Sequence, residues 1–404
     1  MNPRFSQLKP YPFERYRDIL AGVEPPAETP FIDLSIGEPK HPTPAVITQA
    51  ITSNLAGLGA YPPTAGSPSL REELAKWLSK RFAPAAIDAK SEVLPVLGSR
   101  EALFALAQVV IDPNKPSLVV SPNPFYQIYE GAALLAGAQM HYVAQTPEAQ
   151  MTCAWTEVPE SVWAQTALLF VCSPGNPTGS IVNIDEWKYL FDKSDQYGFV
   201  IAADECYSEL YPSDSPPPLG ALQASARLGR GKRRLIVFGS LSKRSNAPGM
   251  RSGYAAGEAD LIAAFLKYRT YHGSAMSPTI QQASIAAWQD ETHVAANRAS
   301  YDAKYAAVVP LLQACLPVKR PPAGFYLWIE VPGGDDVQFS VELYRQYNVR
   351  VLPGSLLGRD TPSGNPGAGR IRLALVAPLE QCIEAAERLC AFCKGQKSQA
   401  GQSK

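Results

Sequence analysis

The run Gly239-Ser240-Leu241-Ser242-Lys243-Arg244-Ser245-Asn246-Ala247-Pro248-Gly249-Met250-Arg251 puts a lysine where an apolar stretch gives way to small residues. An amine in that setting loses hydration, and a neighbouring cation such as Arg251 would lower its pKa further, freeing the lone pair to attack a carbonyl. Three other segments carry groups that this chemistry could use. In Leu97-Gly98-Ser99-Arg100-Glu101-Ala102-Leu103 a glycine turn opens a helical pattern. Ser99 is placed to cap it, and the first free N–H groups suit a phosphate. In Ser173-Pro174-Gly175-Asn176-Pro177-Thr178-Gly179 a rigid turn fixes the Asn176 amide as a donor to an anionic oxygen. In Ala203-Asp204-Glu205-Cys206-Tyr207 an aspartate ends an apolar run, a costly place unless it caps a helix or meets a cation.

The elements that must hold these groups alternate along the chain. Short apolar runs at 92–97, 117–120, 138–143, 167–172, 199–203, 235–238 and 252–256 are separated by helical patterns. Continuous rather than alternating apolar strands predict an α/β fold with a mainly parallel, seven-stranded sheet between helices. The four chemical segments then stand at carboxyl ends of strands, where such sheets hold ligands. Beyond residue 288 a long helix over 293–315, strands at 324–331 and 370–376 and further helices predict a smaller α+β domain. The expected division is an arm and part of the small domain over 1–43, a large domain over 44–288, a small domain over 289–393 and a disordered tail over 394–404.

Bulk properties narrow the partners. Among 404 residues Lys+Arg and Asp+Glu both number 37, so no net field favours nucleic acid or an acidic membrane. Neither a membrane-spanning stretch nor a signal-peptide core is evident, which predicts a cytoplasmic protein. The 7 cysteines do not read as a disulfide framework, and Cys390-Ala391-Phe392-Cys393, without a second such pair or a nearby histidine, is assigned no function and no metal.

One cofactor needs all of the groups above at once. Pyridoxal phosphate requires an amine for a Schiff base, a carboxylate beneath its pyridine nitrogen, donors to its phenolate oxygen, a phosphate site and an aromatic face. Lys243, Asp204, Tyr207 with Asn176, the Ser99-Arg100 helix start with Ser240 and Arg251, and Tyr126 can fill these roles in turn.

With Leu34-Ser35-Ile36-Gly37-Glu38-Pro39 near one end and Arg370-Ile371-Arg372-Leu373-Ala374 near the other, the chain resembles the class I/II aminotransferases of pyridoxal phosphate fold type I over nearly its whole length. The resemblance implies the same cofactor roles for Lys243, Asp204, Tyr207, Asn176, Ser99, Arg100, Ser240, Arg251 and Tyr126. It also implies that Arg372 grips the substrate α-carboxylate through its planar fork, near Gly37 and Asn176. Tyr61 resembles the tyrosine that reaches the phosphate of a neighbouring subunit, so a homodimer with shared sites is implied. Arg370, on the same strand face as Arg372, is taken as structural or solvated.

More narrowly, Pro10-Tyr11-Pro12-Phe13-Glu14, Ile36-Gly37-Glu38-Pro39-Lys40-His41-Pro42 and Tyr268-Arg269-Thr270-Tyr271-His272-Gly273-Ser274 are similar to stretches of the proteobacterial succinyldiaminopimelate aminotransferases of lysine biosynthesis. That implies exchange of an amino group between glutamate and N-succinyl-2-amino-6-oxopimelate, with Lys40 and Arg269 as candidate cations for the distal carboxylates. The rivals are another amino-acid transaminase or a lyase on this scaffold, and a cofactor-binding regulatory module. The first 30 residues, short and proline-rich, do not supply the helix-turn-helix that such a regulator would need.

Overall fold

The structure, a computed structural model, describes residues 1–147 and 151–402, with side chains to 396. Its strands are β1 Ile32–Asp33, β2 Val93–Val96, β3 Leu118–Asn123, β4 Gln139–Ala144, β5 Thr166–Cys172, β6 Val200–Asp204, β7 Leu235–Ser240, β8 Gly253–Gly257, β9 Tyr326–Glu330, β10 Val349–Arg350, β11 Leu352–Pro353 and β12 Arg370–Ala374. Seven of them form one sheet in the order β2-β8-β7-β6-β5-β3-β4. Only β8 runs antiparallel to its neighbours. The result is the α/β fold that the apolar runs predict.

Strand composition follows from burial on both faces. Leu169, Val171, Leu235 and Val237 enter one apolar layer with Trp77, Trp187 and Trp288. Their sequence neighbours Leu168, Phe170, Ile236 and Phe238 enter the other with Leu103, Tyr129 and Phe265. Side chains alternate across a strand, so a strand covered on both sides has no position left for a polar residue until it leaves the sheet. Asp204 and Ser240 stand at those exits.

A second core gathers Ile32 and Leu34 from near the chain start with Val308, Leu327, Ile329, Leu343, Val349, Ile371, Leu373 and Leu389. It is built on the antiparallel sheet β11-β12-β9 and the parallel pair β1-β10. Tyr207, Leu210, Tyr301, Phe325 and Tyr326 pack at the junction of the two bodies.

Two findings add to these expectations. The helix Leu379–Gln402 runs into the segment expected as a tail from 394. Extending a helix already docked on the core adds a hydrogen bond per residue without a new nucleus, and Gln, Lys and Ala sustain it. The last two tail residues, Ser403 and Lys404, lie outside the described residues. Cys390, assigned no role, is joined to Cys315 in a disulfide with Cα atoms 5.6 Å apart. That contact arises because the Leu379 helix packs on the helix Thr292–Gln313, a relation invisible in local spacing.

Candidate active site

The carboxyl ends of β2, β5, β6 and β7 open into a cavity of about 480 Å³, whose opposite wall comes from Tyr11, Phe13, the 36–38 loop, Tyr326, Leu357 and Arg372. Of the residues singled out by sequence, Gly37, Ser99, Arg100, Tyr126, Asn176, Asp204, Tyr207, Ser240, Lys243, Arg251 and Arg372 all line it. Tyr61 and Lys40 do not: Tyr61 is fully exposed and Lys40 is exposed beside the loop.

Ser240 begins the single helical turn Leu241–Arg244 and accepts from the N–H of Ser242 at 3.1 Å, which turns Lys243 toward the cavity. Lys243 Nζ donates to the Gly37 carbonyl at 2.6 Å. Burial lowers its pKa to about 8; Arg372 and Arg100 push the same way, against Cys206 and Glu38. The cations acting on the amine are therefore Arg372 and Arg100, whereas Arg251 directs its guanidinium to the Pro248 and Leu97 carbonyls at 2.9 and 3.1 Å.

Asp204 is 3 % exposed and accepts from Tyr129 Oη at 2.7 Å and from the N–H of Cys206 at 3.3 Å. Burial raises its pKa, and these two bonds oppose the rise. Among the described residues neither Asp204 nor Lys243 makes an ion pair, so one cavity holds an unpaired acid and an unpaired amine. Buried charges left open in this way await a partner that the chain does not supply.

Gly98, at φ +83°, holds the N-cap position of the helix Ser99–Val110, and a Cβ there would stand 2.3 Å from Arg251 Nη2. This corrects the expectation that Ser99 caps the helix. As its first residue Ser99 instead faces Cys206, Oγ to Sγ 2.9 Å. Arg100 points away from the turn: its Nε donates to Tyr126 Oη at 2.6 Å and its guanidinium lies 5.8 Å from the Tyr11 ring centre.

On the opposite wall Arg372 is 3 % exposed, lies 4.4 Å over the Tyr326 ring, and donates to Asn176 Oδ1 at 2.9 Å and the Ser35 carbonyl at 2.8 Å. The bond from Arg372 fixes the Asn176 amide with its Nδ2 donors free to face the cavity. Tyr207 and Tyr326 hydroxyls meet at 3.0 Å. Arg370 pairs with Glu330 at 3.2 Å and is not among the residues lining this cavity.

Arg269 is a correction. It is 1 % exposed and bound to both carboxylate oxygens of Glu101, at 2.5 and 2.7 Å, and to the Ser274 carbonyl. With its fork committed it cannot reach a substrate. Sequence reasoning missed Tyr11, Tyr129 and Tyr326 as site residues. Tyr129 stood in a motif read only for Tyr126, and its nearness to that residue was the available signal.

Residues 29–389 match the family described as aminotransferase class I and II, and the chain belongs to that family. Its members depend on pyridoxal phosphate. The LL-diaminopimelate aminotransferase of Dehalococcoides mccartyi is 31 % identical over 99 % of this chain and 100 % of its own length. That of Aquifex aeolicus is 30 % identical over 96 % and 97 %. Among solved structures, an aminotransferase of Neisseria meningitidis has a TM-score of 0.94 at 52 % identity, covering 97 % of this chain and 100 % of that one. The probable N-succinyldiaminopimelate aminotransferase of Thermus thermophilus has 0.83 at 26 %, covering 94 % and 100 %.

Proposed function

We propose that the chain transfers an amino group between glutamate and a diaminopimelate-type substrate, with Lys243 as the reacting amine. The observation that carries this reading is the cavity holding an unpaired amine and an unpaired acid, with a buried, oriented arginine on the wall opposite.

The residues fit pyridoxal phosphate. Asp204 lacks the cation that a protonated pyridine nitrogen would be, and Tyr207 with Asn176 offers donors for the phenolate oxygen. Ser99, Ser240, Arg251 and the first N–H groups of the Ser99 helix would hold the phosphate, in the room kept by Gly98. Tyr126 offers its ring. When bound, the cofactor supplies a carbonyl that condenses with amines and a ring that draws electrons from the substrate Cα.

The chain's own groups do the rest. With a pKa near 8 Lys243 is partly neutral at physiological pH, so its Nζ can take the proton from the substrate Cα and return one. Arg372 binds the α-carboxylate and sets the direction of that Cα–H bond. Arg100, turned toward Tyr11 and Tyr126, is a further cation lining the cavity and suits the distal carboxylate of a dicarboxylic substrate.

Two diaminopimelates compete. Resemblance to succinyldiaminopimelate aminotransferases, and the likeness to the Thermus protein, support the N-succinyl form. Glu38 at the cavity wall favours LL-diaminopimelate, whose free ammonium a carboxylate can meet and whose succinylated form masks it, as do the LL-diaminopimelate aminotransferase relatives. Leu55, Leu58 and Tyr61, close in sequence, are exposed, and we take them to lie in the homodimer contact, with Tyr61 reaching the partner's site. The test is a set of single half-reactions on the cofactor-loaded protein with glutamate, LL-diaminopimelate and its N-succinyl derivative. Formation of the pyridoxamine form with glutamate and one diaminopimelate is expected; none with either diaminopimelate would sink the substrate assignment.

A further inference from the structure

Beyond the cavity wall lies a polar group that the proposed chemistry does not use. Lys304, on the Thr292 helix, is 2 % exposed, and Asn297, two turns earlier, is 4 % exposed. His41 follows the Gly37 loop and is half-buried between them. Lys304 Nζ lies 2.6 Å from His41 Nε2 and donates to the Leu375 carbonyl at 3.1 Å. His41 Nδ1 lies 3.2 Å from Asn297 Oδ1, and Asn297 Nδ2 donates to the carbonyls of Lys243 and Arg244 at 3.1 and 3.3 Å.

The donors and acceptors leave one consistent direction. Carbonyls only accept, so the Asn297 NH₂ must point at Lys243 and Arg244 and its Oδ1 must point back. Oδ1 accepts from Asn246 Nδ2 at 2.9 Å and, being unable to donate, obliges His41 to carry its proton on Nδ1. Burial and the Lys304 charge both lower the His41 pKa, which keeps the ring neutral. Nε2 is then bare, and Lys304 donates to it. A single chain of bonds thus joins the strand end beyond Arg372, the loop that offers Gly37 to Lys243, and the backbone of Lys243 itself.

We infer that His41, Asn297 and Lys304 are positioning residues for the reaction: they hold the Lys243 backbone and the Gly37 loop in register with the strand that carries Arg372. The inference rests on Lys243 being the cofactor-linked amine. It assigns no contact with substrate to any of the three. Their polar groups are worth burying because an apolar substitute would fill the space without fixing a direction.

The test compares cofactor-loaded wild type with His41→Ala, His41→Asn, Asn297→Ala and Lys304→Met. Readouts are steady-state kinetics with glutamate, the pH midpoint of the bound cofactor's absorbance band, and thermal unfolding of the cofactor-free protein. Expected are kcat values about 10- to 100-fold lower in His41→Ala and Asn297→Ala with KM within about threefold, and a displaced absorbance midpoint. His41→Asn keeps a donor where Nδ1 stood and should recover most of the loss. Lys304→Met, of similar length and apolar, should fold and still show the kcat effect. Unchanged kcat and midpoint in Asn297→Ala and Lys304→Met, or His41→Asn no better than His41→Ala, would overturn the inference. A wild type with no Lys243-dependent band would overturn the functional reading, and this inference with it. A normal wild-type band with unaltered variants overturns this inference alone.

Discussion

The two walls of the cavity are built in different ways. One consists of strand exits of a single sheet, so Asp204, Ser240 and the Gly98 turn are placed by their own flanking residues. The other is assembled from Tyr11, the 36–38 loop, Tyr326, Leu357 and Arg372, which are far apart in sequence and meet only through the β9–β12 pairing and the packing around it. Apart from Arg100 at its edge, the first wall carries the groups suited to hold a cofactor, and the second carries most of those that would select a substrate. Reaction type is therefore the more deeply fixed property, and selectivity is open to change at few positions.

This contrast can be broken by substitution, taken here from the largest expected effect. Lys243→Ala should lower turnover by at least about 10³-fold and remove the cofactor absorbance band, read in stopped-flow half-reactions. Asp204→Asn keeps the shape and the acceptor for Tyr129 but loses the charge. Turnover should fall about 10²- to 10³-fold, for every substrate alike. A substrate-dependent loss in that variant would contradict the division between the walls.

Arg372→Lys keeps a charge but not the fork, and kcat/KM for amino acids should drop about 10- to 100-fold. Capture of added pyridoxal phosphate by cofactor-free protein should quicken about tenfold per pH unit, because the protonated amine cannot attack, and level off above about 8. A rise continuing to pH 10 would mean that Lys243 is not desolvated. Arg100→Gln should raise KM about fivefold for dicarboxylic substrates and leave monocarboxylic ones unchanged, the smallest effect because the group is exposed.

The same contrast explains what could be read in the sequence. The strands and four chemical segments were legible because apolar runs and the small residues that end them are local signals. Arg269 was misread because its partner Glu101 is 168 residues away, and nothing near it shows that its donors are taken. Ser99 lost the cap to Gly98 because the turn has a positive φ there and the Arg251 guanidinium, remote in sequence, leaves no room for a side chain. Tyr326 took its place only through the pairing of β9 with β12, register by register.

The N-terminal arm has a practical side. Its Tyr11 is part of the cavity wall, and Arg4 ties the arm to the body through the Leu135 carbonyl at 3.3 Å. A purification tag, dye or solid support attached at Met1 would pull on a segment whose position shapes the entrance, so kinetic constants measured on such material would partly describe the attachment. A label carried instead on the helix Leu379–Gln402, none of whose described side chains lines the cavity, would leave the instrument out of the measurement.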